Sequence, residues 1–568
     1  MPSDANPDPG NPQAHFEQGA ALAGSLQFDQ AVARYDRAIA LKPDYAEAYA
    51  ARGVALLGLK KFEQAVTSFE FALFMKPDLA WVHFHRAEAL RTLNEPEAAI
   101  AAYEKALAID PENGVARGQM CFMQMLLCDW PRAAATAQQL VAGIGHSGNP
   151  PSPFPLLALS ESPAVLHEAA AHYGRVNYPR NEALGPIPKR NPSAKIHIGY
   201  YSADFENHAT MHLMAGVFEH HDRSAFEVTA FSFGRESDDH MRARAVNAVD
   251  RFIDVRMTSD QDVARMSRDL GIDIAVDMKG YTRDRRTGIF AFRAAPIQVG
   301  YLAYPGGSGL DYIDYLLADK TVVPREHRAY YSEKIAWLPH SYQCNDSKRE
   351  FPAPHQSRAA LGLPETGFVF CGFNSPFKIS PETFSGWMRI LTRVEHSVLW
   401  LLEDNAIAAN NLRKAAREQG IDPARLIFAP RVPIPEHLAR HTLADLCLDS
   451  LPYNAHTTAS DALWMELPVL TCLGKTFPGR VAASLLHALD LPELIAGSQA
   501  DFEDAAVELA RSPSTLAALR EKLRAKRLSA PLFNTAQFTS DLEAIYRTMQ
   551  ARYRNDLTPD HIEEPREP

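Results

Sequence analysis

The sequence predicts an all-α repeat array followed by an α/β region made of two doubly wound parallel sheets. Three observations carry this. Prolines recur 34 residues apart near the N-terminus, at Pro43, Pro77 and Pro111. From Lys195 onward, short apolar runs of strand length alternate with amphipathic helical segments. A polar, proline-containing stretch over residues 345–367, "NDSKREFPAPHQSRAALGLPETG", divides those alternations into two series. At 568 residues the chain has room for roughly three or four domains of about 150 residues. Its 46% hydrophobic and 22% charged residues are ordinary for globular protein.

The repeat is legible position by position. Counting back from each proline, a small slot in the first helix holds Gly19, Gly53 and Ala87. Two small slots in the second helix hold Ala31, Ala65, Ala99 and Ala38, Ala72, Ala106, with Tyr35, Phe69 and Tyr103 between them. Small residues let paired helices approach, the aromatic fills the gap, and proline ends the second helix. These units resemble the tetratricopeptide repeat. A worn fourth unit follows in "GVARGQMCFMQMLLCDWPRAAATAQQL", and "SPAVLHEAAAHYGRVNYP" reads as a further helical pair. Such arrays stack into superhelices that offer a surface to extended peptide. The organisation expected is a disordered segment 1–12, repeats over 13–190, α/β lobes over 191–347 and 348–553, and a polar tail 554–568. With no long Gly/Ser linker after the repeats, the superhelix is expected to dock on the lobes.

In the first α/β series the strands are "IHIGYYS", "FEVTAFSFG", "IDIAVDMKG", "PIQVGYLAYPG" and "IDYLLAD", followed by "KIAWLPHSYQC". In the second they are "FVFCGFN", "SVLWLLED", "RLIFAP", "LADLCLD" and "PVLTCLG". Ligands in such folds bind outside the carboxyl ends of the strands, so two facing units point to the cleft between them.

Several classes are disfavoured. A net charge of −11 argues against general nucleic-acid binding. Neither GxGxxG nor GxxxxGK[ST] occurs, which weakens dehydrogenase and NTPase readings. Six cysteines lie scattered in apolar surroundings with no CxxC pair, as expected of buried thiols in a reducing compartment. No signal peptide and no membrane-length apolar run is read, so the expected location is the cytoplasm. One DxD occurs, Asp260-Gln261-Asp262, but Ser259 ahead of it makes it a helix start with acids in the first turn. No metal site is expected.

The chemistry concentrates in "NAHTTASDALW", residues 454–464. A buried strand precedes this run and a helix follows it. Thr458 and Asp461 fit a capping box, which leaves His456 and Thr457 unexplained. A helix N-terminus at the carboxyl edge of a parallel sheet is an anion site, and an imidazole and hydroxyls there would add donors for a pyrophosphate.

With "CGFNSPFKISPETFSGWMRIL", "HLARHTLADLCLD", "GYYSADFENHATMHLM" and "APIQVGYLAYPGGSGLDYIDYLLAD", that run resembles the catalytic region of the O-linked N-acetylglucosamine transferases. The preceding repeats match that family's domain order. The resemblance implies a GT-B fold of two Rossmann-like lobes. It also implies inverting, metal-independent transfer of N-acetylglucosamine from UDP-GlcNAc to Ser or Thr of a polypeptide held along the superhelix and the cleft. Residue by residue, His456, Thr457 and Thr458 would hold the phosphates and Lys378 would place an ammonium on them. His437 would lie against the uracil, with Arg440 beside it and the backbone of Arg431 and Val432 reading the base edge. Asp461 would bind the ribose side or only cap its helix. His208 would face sugar and acceptor, Gly306 and Gly307 would let backbone approach the sugar, and His212 is expected to pack into the lobe interior. Ile434 stands where animal members carry a lysine. The absence of a long insertion between the lobes and the short array look bacterial. Two alternatives remain: a protein N-glucosyltransferase using UDP-glucose, and an idle UDP-binding peptide scaffold.

Overall fold

The structure, a computed structural model, describes residues 10–146, 148–190 and 194–563. Residues 1–9 of the expected N-terminal segment and 564–568 of the expected tail lie outside the described residues. Gly10 and Asn11 precede a helix that already begins at Pro12, capped by the Asn11 side chain.

The repeats form one compact unit, and the chain from Ser152 belongs to another. In the first, helices pair as Pro12–Gly24 with Phe28–Leu41, Ala46–Gly58 with Phe62–Met75, and Ala80–Thr92 with Pro96–Ile109. Each second helix stops two residues before its proline. The small-residue slots explain the pairing. A Cβ on Gly19 would sit 2.7 Å from the Tyr35 ring, and one on Gly53 would sit 2.4 Å from the Phe69 ring. The worn fourth unit supplies Gly114–Leu126 and Trp130–Ala142. The expected further pair is a single helix, Pro163–Asn177, after a short 3-10 turn at Pro155–Ala158. It packs on the first lobe: Tyr173 meets the Tyr281 ring edge-on at 5.1 Å, and Gly174 lies under the Tyr281 hydroxyl and Leu310.

The first lobe is a seven-stranded parallel sheet: β1 (Ile196–Ser202), β2 (Phe226–Ser232), β3 (Arg251–Asp254), β4 (Ile274–Asp277), β5 (Ile297–Gly300), β6 (Tyr315–Ala318) and β7 (Lys334–Trp337), in the order β3-β2-β1-β4-β5-β6-β7. The second lobe is a six-stranded parallel sheet: β8 (Val369–Gly372), β9 (Val398–Leu402), β10 (Leu426–Ala429), β11 (Leu446–Leu448), β12 (Val469–Cys472) and β13 (Ile495–Ala496), in the order β10-β9-β8-β11-β12-β13. Both are doubly wound, with their central strands buried on both faces. Strand order reverses between β1 and β4 in one lobe and between β8 and β11 in the other. A crevice opens at such points outside the strand ends.

The division of lobes by residue number is not the division of cores. The last helix, Thr535–Arg554, crosses back onto the first lobe. Its stripe of Phe538, Leu542, Ile545, Tyr546 and Met549 joins the cluster of Ile198, Tyr200, Val228 and Val276. Glu543 accepts from the backbone N–H of Asp222 at 2.8 Å and pairs with fully buried His221 at 3.0 Å. The expected polar tail also returns to this lobe. Ile562 is buried and exchanges backbone hydrogen bonds with β7, from Trp337 N–H and to the Ile335 carbonyl, both 3.0 Å. An apolar residue within the polar tail gives that segment its anchor. All six cysteines are free and buried, and burial pushes the Cys121 and Cys344 thiols up to about 12.

Candidate active site

Residues from the ends of β1, β8, β10 and β11 meet around a cavity of about 280 Å³ lined by both lobes. Its floor is the start of the helix Thr457–Trp464, with Thr457, Thr458 and Asp461 in the lining. First-turn N–H groups have no carbonyl partner within a helix, and here that first turn lines the crevice at the switch between β8 and β11. The loop that delivers this helix is folded around Asp449, at the end of β11. Its carboxylate accepts from the N–H groups of Ser450 (2.8 Å) and Ala455 (2.6 Å) and from the Thr471 hydroxyl (2.6 Å).

The capping box does not form. His456 is the N-cap residue, so Thr458 already lies inside the first turn and its hydroxyl donates to Asn374 Oδ1 at 2.6 Å. Asp461 is one turn further on and turns to other partners. His456 is committed too: its Nε2 lies 3.1 Å from the Pro478 carbonyl, and burial beside Lys378 drives its protonation far down. A neutral ring that donates through Nε2 has a lone pair left on Nδ1. The donors at this corner are therefore the backbone N–H groups, not the imidazole.

Lys378 ends a short 3-10 turn after β8. Its ammonium donates to the Asn454 carbonyl at 2.8 Å and lies 4.1 Å over the Tyr453 ring. Burial lowers its pKa to about 7, and Asp449 opposes that shift. A cation held near its titration point is poised to be fixed by an arriving anion.

At the other end of the cavity four polar side chains form a chain. Arg349 pairs with Asp461, Asp461 faces His437 Nε2 at 3.5 Å, and Arg440 donates to His437 Nδ1. Arg440 also donates to the Pro430 carbonyl at 2.9 Å and stacks 4.4 Å over Phe373. Burial opposes ionisation of Asp461, but Arg349 first, then His437, hold its carboxyl well below the usual carboxylate range. With both ring nitrogens tied, what His437 can offer a ligand is its ring surface, part of which lines the cavity. Arg431, Val432 and Ile434 line the same end, Arg431 being held by Asp404 at 2.7 Å. Ile434 is 38% exposed, so the surface there is apolar.

The first lobe contributes Asn207, His208 and His212. His208 caps the helix Ala209–His220: its Nδ1 accepts from the Thr210 N–H at 3.2 Å, and Asp204 Oδ2 lies 3.4 Å away. Asp204 is in turn fixed by buried Lys279 at 2.7 Å and by the Thr210 hydroxyl at 3.0 Å. Burial lowers the pKa of His208 against the pull of Asp204. The neutral ring therefore carries its proton on Nε2 and can donate from there. His212 does not pack into the lobe interior. One helical turn beyond His208, it shares that residue's face, lines the cavity and pairs with Asn207 Oδ1 at 2.8 Å.

The structure thus brings His208, Arg431, Val432, His437, Arg440, Thr457, Thr458 and Asp461 into one lining; Lys378 and His456 are not part of it, Lys378 donating to the Asn454 carbonyl in the loop that delivers the floor helix and His456 capping that helix. Gly306 and Gly307 are elsewhere, in a separate cavity of about 20 Å³ with Tyr304, Tyr331 and Thr476. Asp260 and Asp262 start a helix capped by Ser259 and pair with Arg286 and Arg265. Arg349 was hidden in a stretch that reads as linker. Its only local signal is the charged cluster Asp346, Lys348 and Arg349 just after a buried segment.

A family model described as "Glycosyl transferase family 41" matches residues 183–357 and 354–542, and repeat models described as "TPR repeat" and "Tetratricopeptide repeat" match residues 27–60 and 80–113. A probable UDP-N-acetylglucosamine–peptide N-acetylglucosaminyltransferase, SEC, of Arabidopsis thaliana is 36% identical over 416 residues, 72% of this chain and 43% of its own length. The UDP-N-acetylglucosamine–peptide N-acetylglucosaminyltransferase of Caenorhabditis elegans is 29% identical over 65% of this chain and 42% of its own. The chain therefore spans less than half the length of these curated relatives. A solved mutant O-GlcNAc transferase of Thermobaculum terrenum superposes with a TM-score of 0.71 at 26% identity, over 96% of this chain and 98% of that one. A two-lobed α/β region matched from residue 183 to residue 542, behind tetratricopeptide repeats, makes this chain a member of glycosyl transferase family 41.

Proposed function

We propose that the chain transfers N-acetylglucosamine from UDP-GlcNAc to Ser or Thr hydroxyls of a polypeptide, with inversion at the sugar and without a metal. The observation that carries this is the Lys378 ammonium, desolvated to a pKa of about 7 and donating to the Asn454 carbonyl three residues before the helix N-terminus at Thr457. Cationic and dipolar donors converge where a departing diphosphate gathers charge. The names of the relatives point to the same donor and acceptor classes.

In this reading uracil lies on the ring surface of His437 and against the backbone of Arg431 and Val432. Ribose lies toward Asp461 and Arg440, and the pyrophosphate between Thr457, Thr458 and Lys378. The acceptor oxygen attacks C1 from the side opposite UDP, the C1–O bond to the β-phosphate breaks, and UDP leaves with the electron pair. Orientation in the cleft replaces a chance encounter. His208 donates through Nε2 to the sugar or acceptor and is not the base, because Nδ1 is engaged with the Thr210 N–H. The hydroxyl proton leaves late, once the new bond is largely formed, and passes to a phosphate oxygen of the departing UDP or to water. Buried thiols fit a cytoplasmic setting. Among the described residues no helix is long and apolar enough to cross a membrane.

The test is incubation with UDP-GlcNAc and with UDP-glucose, followed by mass spectrometry of the protein and of a lysate, and calorimetry with UDP in EDTA. Hexose on asparagine would replace this reading with N-glucosylation. Loss of UDP binding on chelation would restore a metal.

A further inference from the structure

The segment between the lobes reaches the nucleotide end of the cavity. Residues 346–349 are tied to both sides. Asp346 accepts from Arg244 at 3.0 Å, and Lys348 donates to Glu219 at 2.7 Å, both partners belonging to the first lobe. Arg349 turns the other way and pairs with Asp461 on the second lobe's helix. Both side chains are more than nine-tenths buried, so the pair is shielded from solvent. Asp461 in turn faces His437 Nε2, while Arg440 holds Nδ1. The plane of the His437 ring is set by this chain of charges, and its outer member is the arginine of the interlobe segment.

We propose that Arg349 is the positioning residue of the nucleoside platform: through Asp461 it orients His437 to receive the uracil, and it thereby tells the donor's base where the first lobe stands. This rests on the proposed UDP-sugar chemistry and deepens it. Arg349 does not act on the phosphates, although its Nη1 finds no acceptor among the described residues. The groups facing Asp461 are Arg349, His437, His441, Arg440 and His212. Without Arg349, Asp461 loses the partner that chiefly keeps it ionised, and burial then raises its pKa.

The experiment measures binding of uridine, UDP and inorganic pyrophosphate to the full chain, wild type and Arg349→Met, by calorimetry from about pH 5 to pH 8. Uridine and UDP should both weaken on the order of tenfold, the cost of one charge-assisted contact, with pyrophosphate unchanged. The deficit should grow toward acid in the variant alone. Arg349→Lys, which keeps the charge but not the fork, should recover part of the loss and serves if Arg349→Met folds poorly. In an Asp461→Asn background Arg349→Met should cost nothing more. Wild-type uridine affinity in both Arg349 variants, a loss confined to pyrophosphate, or full additivity with Asp461→Asn would overturn the proposal. No UDP binding by wild type would overturn the proposed function and this inference together.

Discussion

Replacing Lys378 with methionine keeps an apolar stem and removes the ammonium. Burial brings that ammonium from an ordinary 10.5 to about 7, so roughly half the molecules carry it at neutral pH. The site is built at a loss that an incoming diphosphate offsets. As the C1–O bond breaks, the charge on UDP rises and so does its attraction to Lys378. The substitution should therefore lower the rate by about a hundredfold or more, as for loss of a preorganised transition-state donor. UDP affinity should fall less. Stability should move the other way. The folded pKa lies below the unfolded one, so the unfolded chain binds the extra proton between about pH 7 and pH 10.5. The burden on wild type is full below pH 7 and relieved as pH rises. Lys378→Met should thus melt no lower than wild type, with its advantage greatest at or below neutrality. The assay is UDP-GlcNAc hydrolysis without acceptor, alongside transfer to peptide and a melting curve at two pH values. Equal hydrolysis by wild type and variant would remove Lys378 from the mechanism.

The same titration predicts that UDP-GlcNAc affinity declines from about pH 7 to pH 8.5, because binding must restore a proton to Lys378, and that Lys378→Met flattens this slope; calorimetry in two buffers also reads the proton uptake. His208→Ala should impair transfer while preserving UDP binding and part of the hydrolysis, measured on the same samples; complete loss of hydrolysis would place His208 at the leaving group instead. Gly53→Leu would force a side chain into the Phe69 ring, 2.4 Å from the first added carbon, and should cost about 1–3 kcal/mol in the repeats, seen as an earlier melting phase.

Local patterns were readable wherever they repeat or are continuous. The 34-residue spacing located every helix pair from Pro12 to Ile109, and buried runs such as "IHIGYYS" matched β1 from Ile196 to Ser202. The three strands that the sequence does not predict lie at sheet edges: β3 is half-exposed, β13 has two residues, and β7 opens on a lysine and runs within two residues into Pro339. In the site, the helix start at Thr457 could be read from its position after a buried strand, whereas Lys378 came only from the resemblance. The partners of Asp461 could not be read. Its link to Arg349 spans 112 residues and leaves no periodic trace, and the capping spacing from Thr458 pointed to a local contact that the backbone does not make. Gly306 and Gly307 line a separate cavity, and a flexible motif says that backbone approaches something, not what it approaches.

The returning helix fixes an order of events during synthesis. Tyr200 and His221 leave the ribosome more than three hundred residues before Tyr546 and Glu543, their partners in the finished core. At about 5–20 residues per second that interval is on the order of 15–60 seconds. Throughout it, the face awaiting Leu542, Ile545 and Tyr546 stands open, an apolar surface for chaperones to cover and proteases to test. The lobe translated first is therefore the last to close, and a truncation that spares every residue of the cleft but removes the chain beyond about residue 535 should still leave it unfinished.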